Sequence, residues 1–260
     1  MPEMTNYPDA TFAWVDLATT DHAGAKAFYQ SLFGWDANDL PIGEGMTYTM
    51  FTLRGKNVAA VSQLSEELQS QGVPPHWSSY VSVTDVDQVA AKATELGATL
   101  MVEPMDVFEE GRMAFIQDPV GASIGLWQPK NHIGTQLVNE PGSLCWNELA
   151  TRDIAAGQDF YCHLFGWRAE AQEMETGPYT VFKNGEAFAG GMLQMTEEWG
   201  EIPPRWMVYF AVDDCDASAA KVRELGGAVH VDPTDIPDVG RFAVASDPQG
   251  GHFTIMTMAN

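Results

Sequence analysis

Two stretches of this chain are copies of each other, and that duplication limits the fold more than any other feature. Residues 14–35 read WVDLATTDHAGAKAFYQSLFGW and residues 146–167 read WNELATRDIAAGQDFYCHLFGW, an offset of 132 with 12 of 22 positions identical. Whatever one copy builds is built twice, so repeat detection comes before any fold argument. The match continues downstream. Tyr48 and Phe51 recur as Tyr179 and Phe182, and Gln63 recurs as Gln194. Pro74-Pro75-His76-Trp77 recurs as Pro203-Pro204-Arg205-Trp206, and Asp118-Pro119-Val120-Gly121 as Asp247-Pro248-Gln249-Gly250.

Within a copy the hydrophobic period switches between sheet and helix. Residues 12–18 alternate, with Phe12, Trp14 and Asp16 on one face, which predicts a strand. Ala25, Phe28, Tyr29, Leu32 and Phe33 then recur at helical spacing behind an Asp21 cap, and Gly34 ends the helix. Strands are predicted over 46–53 and 58–64, and the acidic, Pro-containing stretch 65–76 reads as a loop. A second unit follows: strand 77–84, helix 85–96 stopped by Gly97, and strands 98–103, 112–117 and 122–127.

The chain is therefore α+β, with four βαβββ modules at 12–64, 77–128, 144–195 and 206–258. They form two tandem domains, 1–128 and 144–260, joined by a polar linker at 129–143. One module is a four-stranded sheet with a helix on one face, so its other face must be covered or must enclose something. Two modules side by side give a curved, mixed sheet with a cup inside. Two pairings satisfy the pattern: first with second and third with fourth, or first with fourth and second with third.

Composition narrows the partners. Thirty-six acidic residues against 13 basic ones give a net charge of −23. Such a surface repels phosphate backbones and anionic lipid, so no nucleic-acid or membrane-surface role is expected. No apolar run approaches the ~20 residues that span a bilayer. The N-terminal segment has neither the basic nor the apolar region of a signal peptide. Cys145, Cys162 and Cys215 have no repeat counterparts and form no disulfide pattern, which fits a cytoplasmic protein. None of this specifies an oligomeric state.

The segments Asp21…Phe28-Tyr29…Leu32-Phe33-Gly34-Trp35 and Asp153…Phe160-Tyr161…Leu164-Phe165-Gly166-Trp167, the helix endings Leu96-Gly97-Ala98 and Leu225-Gly226-Gly227, and the two Asp-Pro-x-Gly turns carry a resemblance. Together they resemble the vicinal oxygen chelate superfamily: glyoxalase I, extradiol dioxygenases, and fosfomycin and bleomycin resistance proteins. The resemblance covers nearly all of 12–128 and 144–258 and is most similar to a tandem-domain bacterial branch. It implies the glyoxalase-like fold, but several chemistries share that fold.

Metal-dependent members of that superfamily place His, Glu or Gln ligands on the first and last strands of each module. The corresponding positions here hold Trp14 and Trp146, Ser78 and Met207, and Gly125 and Thr254, with Gln63 and Gln194 near the remaining slots. A divalent cation needs several imidazole or carboxylate donors, which this set does not supply. No metal and no cofactor is therefore expected. His22, His76, His132, His163, His230 and His252 show no ligand spacing, although His76 and His252 fall near strand ends that face a cleft.

What remains is a wall rather than a metal cage. Trp14 and Trp146 are expected to line the cups, or to fill them. Asp16 and Glu148 share their face and are candidate bases if desolvated. Trp77, Trp206, His76 and Arg205 are candidates for the cleft rim, and Gln63 and Gln194 for ligand hydrogen bonds. The leading reading is a glyoxalase/bleomycin-resistance-like protein that binds a small apolar or aromatic molecule in a Trp-walled cup. The alternatives are a lyase or isomerase using Asp16 or Glu148, and an interaction module with filled cups.

Overall fold

The computed structural model describes residues 3–43, 45–174 and 177–259, which excludes the first two residues of the polar lead-in. The first half runs β1 (Thr11–Thr19), α1 (His22–Phe33), β2 (Asp36–Gly43), β3 (Met46–Leu53), β4 (Lys56–Gln63), α2 (Glu66–Ser70), β5 (His76–Ser82), α3 (Val86–Glu95), β6 (Thr99–Val107), β7 (Gly111–Gln117) and β8 (Ser123–Pro129). The second runs β9 (Leu144–Thr151), α4 (Ile154–Phe165), β10 (Arg168–Met174), β11 (Gly177–Asn184), β12 (Ala187–Gln194), β13 (Arg205–Ala211), α5 (Cys215–Glu224), β14 (Ala228–Ile236), β15 (Gly240–Ser246) and β16 (His252–Met258). The loops depart from expectation in α2, a short turn of helix that Ser65 caps at the Leu68 N–H, and in a single 3-10 turn at Glu197–Trp199 in the equivalent stretch of the second half.

The main helices begin and end where their chemistry dictates. Asp21, Asp85, Asp153 and Asp214 each accept a first-turn backbone N–H, satisfying a donor that the helix leaves unpaired. Gly34 and Gly166 close α1 and α4 in the left-handed conformation, at φ 70° and 72°.

The eight strands of each half form one mixed sheet, in the orders β2-β3-β4-β1-β5-β8-β7-β6 and β10-β11-β12-β9-β13-β16-β15-β14. Neighbouring modules in sequence therefore share a sheet: β1 runs parallel to β4 and antiparallel to β5. The helix-bearing faces pair the other way. One apolar core joins Phe28, Tyr29 and Trp35 of the first module to Phe210, Val222 and Phe253 of the fourth. A second joins Val81, Ala90 and Ile124 of the second module to Phe160, Tyr161 and Trp167 of the third. Both pairings left open by the sequence are thus used, one for sheets and one for cores.

Symmetric polar links cross between the halves inside these cores. Trp35 Nε1 donates to the Gly142 carbonyl at 2.7 Å, and Trp167 Nε1 to the Ala10 carbonyl at 2.9 Å. Trp77 Nε1 donates to the Tyr29 hydroxyl at 3.0 Å, which in turn donates to Asp247 at 2.9 Å. Trp206, Tyr161 and Asp118 form the matching chain at 2.8 and 2.9 Å. Each buried Asp also accepts backbone N–H groups of its own Asp-Pro-x-Gly turn, so these buried polar groups are satisfied.

These chains revise two sequence expectations. Trp77 and Trp206 do not rim a cleft: even and odd positions of β5 and β13 point to opposite faces, and these two rings face the shared cores. Gln63 and Gln194 do not line the cups either. Their amides tie the ends of β4 and β12 to the preceding turns, Gln63 through the Thr20 carbonyl and the His22 N–H, Gln194 through the Arg152 carbonyl.

Candidate functional site

The concave face of each sheet carries the residues left once the back faces are packed. On β1 these are Trp14 and Asp16, as the alternation predicts, but Phe12 leaves their face: a bulge between Phe12 and Trp14 turns its ring into the core against Trp167 and Trp206. Two tyrosines that the sequence reading did not single out complete the group: Tyr48 from β3 and Tyr80 from β5. Both hydroxyls donate to Asp16 Oδ2 at 3.0 Å, and Trp14 Nε1 donates to the Tyr48 hydroxyl at 3.1 Å. The second cup repeats the network. Tyr179 and Tyr209 donate to the two carboxylate oxygens of Glu148, each at 2.6 Å, and Trp146 Nε1 donates to Tyr179 at 3.0 Å. The pairs Tyr48/Tyr179 and Tyr80/Tyr209 occupy equivalent positions of the repeat, a signal that was available in the sequence.

Burial dominates the electrostatics. Asp16 is pushed up to about 6, chiefly by burial, against the opposing effects of the Tyr80 and Tyr48 hydrogen bonds and the nearby His76 charge. Glu148 is also raised, by burial first, with Tyr179 and Tyr209 opposing. The tyrosines are held well above their ordinary range by burial and by the adjacent carboxylate, so they stay protonated donors.

One methylene is redistributed between the cups. In register with Asp16 stands Ala60, and in register with Glu148 stands Gly191. A Cβ at Gly191 would overlap the Tyr179 hydroxyl. The longer carboxylate is accommodated because its neighbour lacks a side chain.

The cups differ more at their mouths. In the first, Trp14 and Trp127 are 3% and 6% exposed and pack with Met50 and Tyr80. The linker lies over them. Trp127 Nε1 donates to the His132 carbonyl at 2.9 Å, and the His132 ring meets Trp14 edge-on at 4.4 Å. Thr135 and Gln136 N–H groups bond the Ala13 and Asn57 carbonyls. His132 is thereby half-buried, its Nε2 enclosed without a partner, and burial lowers its pKa to about 4. In the second cup Trp146 is only half-buried. Its ring neighbour is Phe188, which replaces Asn57 at the repeat position, stands 6.3 Å away and is 65% exposed. Met256 takes the place of Trp127.

His76 and Arg205 begin β5 and β13 on the concave face, opposite Ala18 and Ala150. His76 is exposed and bonds the Pro74 carbonyl. Arg112 and Arg241 are used outside the cups, in ion pairs with Asp87 and Asp216. Among the described residues no three His, Cys, Asp or Glu side chains come together as a metal site. No helix there is long and apolar enough to cross a membrane.

A family model, Glyoxalase/Bleomycin resistance protein/Dioxygenase superfamily, matches residues 11–126 and again 136–255. The chain belongs to this superfamily. It is 46% identical over 261 residues to a Mycobacterium tuberculosis protein named "Putative glyoxylase CFP32", covering 100% of this chain and 99% of that one. It is 33% identical to "Anthracycline biosynthesis protein DnrV" of Streptomyces peucetius, covering 98% of this chain and 96% of the other. Among solved structures it superposes on the 2,3-dioxygenase LapB from Pseudomonas sp. KL28 with TM-score 0.66 at 13% identity, over 97% of this chain and 94% of that one. The Mn(II)-bound glyoxalase from Novosphingobium aromaticivorans gives 0.65 at 15% identity, over 96% and 82%. At these identities the structural likeness shows the fold alone.

Proposed function

We propose that this protein binds a small aromatic molecule in its second cup without a metal, and that its first cup is a filled structural copy. The observation that carries the reading is the contrast around the two tryptophans: Trp14 is sealed beneath the linker, whereas Trp146 is half-buried beside an exposed Phe188. An aromatic ligand would stack on Trp146 and displace Phe188 outward, while Glu148, Tyr179 and Tyr209 form the polar floor. Among the described residues each cup offers a single carboxylate, already engaged by two tyrosine hydroxyls, which is too few donors for a divalent cation. The relatives named for anthracycline biosynthesis support a polycyclic, aromatic ligand class. The acidic surface supports a small-molecule partner rather than nucleic acid or membrane, and the lack of a disulfide pattern among the three cysteines supports a cytoplasmic location.

Quenching of tryptophan fluorescence by a series of one- to three-ring aromatics tests this. Binding is expected to survive Trp14→Ala, to fall at least tenfold in Trp146→Ala, and to be unchanged after chelator treatment. Stoichiometric zinc, nickel or manganese whose removal abolishes binding would overturn it. Asp16 favours a second reading, a proton-transferring lyase or isomerase, because a carboxylate near 6 is poised to act as a base at neutral pH. Deuterium exchange into a ketone probe that rises with pH through about 6 and vanishes in Asp16→Asn supports it; no exchange removes it.

A further inference from the structure

Beyond the tryptophan, the far end of the second cup holds an arginine and two histidines that nothing above uses. Arg205 alternates on β13 with Trp206, Val208 and Phe210, which face the cores, and so shares the concave face with Tyr209. His252 alternates likewise with Phe253 and Ile255. His230, from β14, stacks on His252 with ring centroids 4.8 Å apart and bonds Ser246 Oγ at 2.9 Å. His252 Nδ1 bonds the Gly250 carbonyl at 3.0 Å, which turns Nε2 away from that contact.

Arg205 is anomalous in this chain. The other arginines have acceptors: Arg152 in three backbone carbonyls, and Arg54, Arg112, Arg168, Arg223 and Arg241 in carboxylates. Arg205 has none among the described residues, and its Nε is buried without a partner. Burial lowers the affinity of its guanidinium for the proton, and the charges acting on His252 are those of Arg205 and His230, with no carboxylate among them. In a protein of 36 acidic residues, a half-buried guanidinium without an anion is costly unless something supplies one. The first cup has no such cluster: the equivalent positions are His76, Met101, Gln117 and Ser123.

The geometry points to an anion subsite formed by Arg205, His230 and His252, which takes the carboxylate of an aromatic ligand whose rings lie on Trp146. This rests on the reading of the second cup as an aromatic site. Arg205 is in register with Ala150, four residues along β9 from Trp146, or about 13 Å at the rise of a strand. Allowing for two inward-reaching side chains, that span fits a ligand of two or three fused rings with the carboxylate at one end. A guanidinium grips a carboxylate through parallel N–H donors, which an amide of the same shape cannot replace.

The test compares anthraquinone-2-carboxylate with the neutral anthraquinone-2-carboxamide by calorimetry on the full chain. The carboxylate is expected to bind at least tenfold more tightly. Arg205→Gln should weaken the carboxylate at least tenfold and leave the carboxamide within twofold, and His252→Asn should weaken the carboxylate by a smaller factor. Equal affinity for the two compounds in the unsubstituted protein overturns the anion subsite while leaving the aromatic site standing. Binding of neither compound overturns both. The ratio in the unsubstituted protein decides the matter even if Arg205→Gln does not fold.

Discussion

The two cups share one architecture and one hydrogen-bond scheme, and they differ in what stands over the scheme. Both hold a tryptophan, a tyrosine pair and a carboxylate, Asp16 half-buried and Glu148 buried. The first adds Trp127 and the linker residue His132, which turn a concavity into core. The second has Met256 and Phe188 at those places, and its tryptophan remains within reach. Divergence at the mouth thus gives the same polar group two different surroundings, beneath a covered tryptophan in one copy and a half-buried one in the other. A single repeat-wide motif would not reveal that division.

The largest expected effect comes from truncating the two tryptophans. Trp14→Ala removes a core ring and should cost about 3–5 kcal/mol of stability in urea melts while leaving ligand affinity within a few fold. Trp146→Ala should do the reverse, with a small stability loss and at least tenfold weaker binding. Equivalent behaviour of the two would dissolve the distinction between the cups.

Next in size are the tyrosine links that hold the halves back to back. Tyr161→Phe strands the Trp206 N–H and one Asp118 oxygen in a core, and should cost about 1–3 kcal/mol. Tyr29→Phe should match it through Trp77 and Asp247. A large difference between these two would show that the pseudo-symmetry of the cores is weaker than their geometry.

The redistributed methylene predicts coupling. Gly191→Ala should be destabilising because of the overlap with Tyr179, and adding Glu148→Asp should recover part of the loss. A double-mutant cycle should give an interaction of about 0.5–3 kcal/mol, the range for residues in direct contact. Strict additivity would mean the two sites accommodate their carboxylates independently of the facing residue.

The smallest effect is a pH dependence hidden by cancellation in the first cup. Asp16 is raised from 3.8 to about 6, so the native state holds its proton more tightly and stability falls as pH rises through that window. His132 is lowered from 6.5 to about 4, so the unfolded state binds its proton more tightly and stability rises with pH over nearly the same range. Each contributes on the order of 2 kcal/mol with opposite sign. Relative to the unsubstituted protein, the slope of the urea midpoint against pH between 4 and 6.5 should become more positive in Asp16→Asn and more negative in His132→Gln, since the other shifted groups are common to all three. Slopes displaced in the same direction in both variants would remove either the burial or the lid contact from the account.

The fold was largely legible because the repeat and its alternation act at short range. The Asp caps, the glycine stops and the inward Trp14 and Asp16 all follow from local periods. The sheet order and the crossed cores were not legible, since both module pairings bury the same faces. The rim expectation for Trp77 and Trp206 fails because β5 and β13 pack back to back across the halves, a contact that no local period signals. His132 lay in a polar linker with no period, so nothing in its neighbourhood marked it as a lid. Tyr80 and Tyr209 were within reach, because their strand register and their recurrence both put them beside the carboxylates. The Arg205 cluster is assembled from three strands distant in sequence, and only the tertiary structure brings it together.

Stoichiometry tests the central claim most directly. Calorimetric titration of the full chain with anthraquinone-2-carboxylate should give one molecule bound per chain, and at least tenfold weaker binding in Trp146→Ala. Two molecules per chain, or binding that persists in Trp146→Ala and disappears in Trp14→Ala, would contradict it.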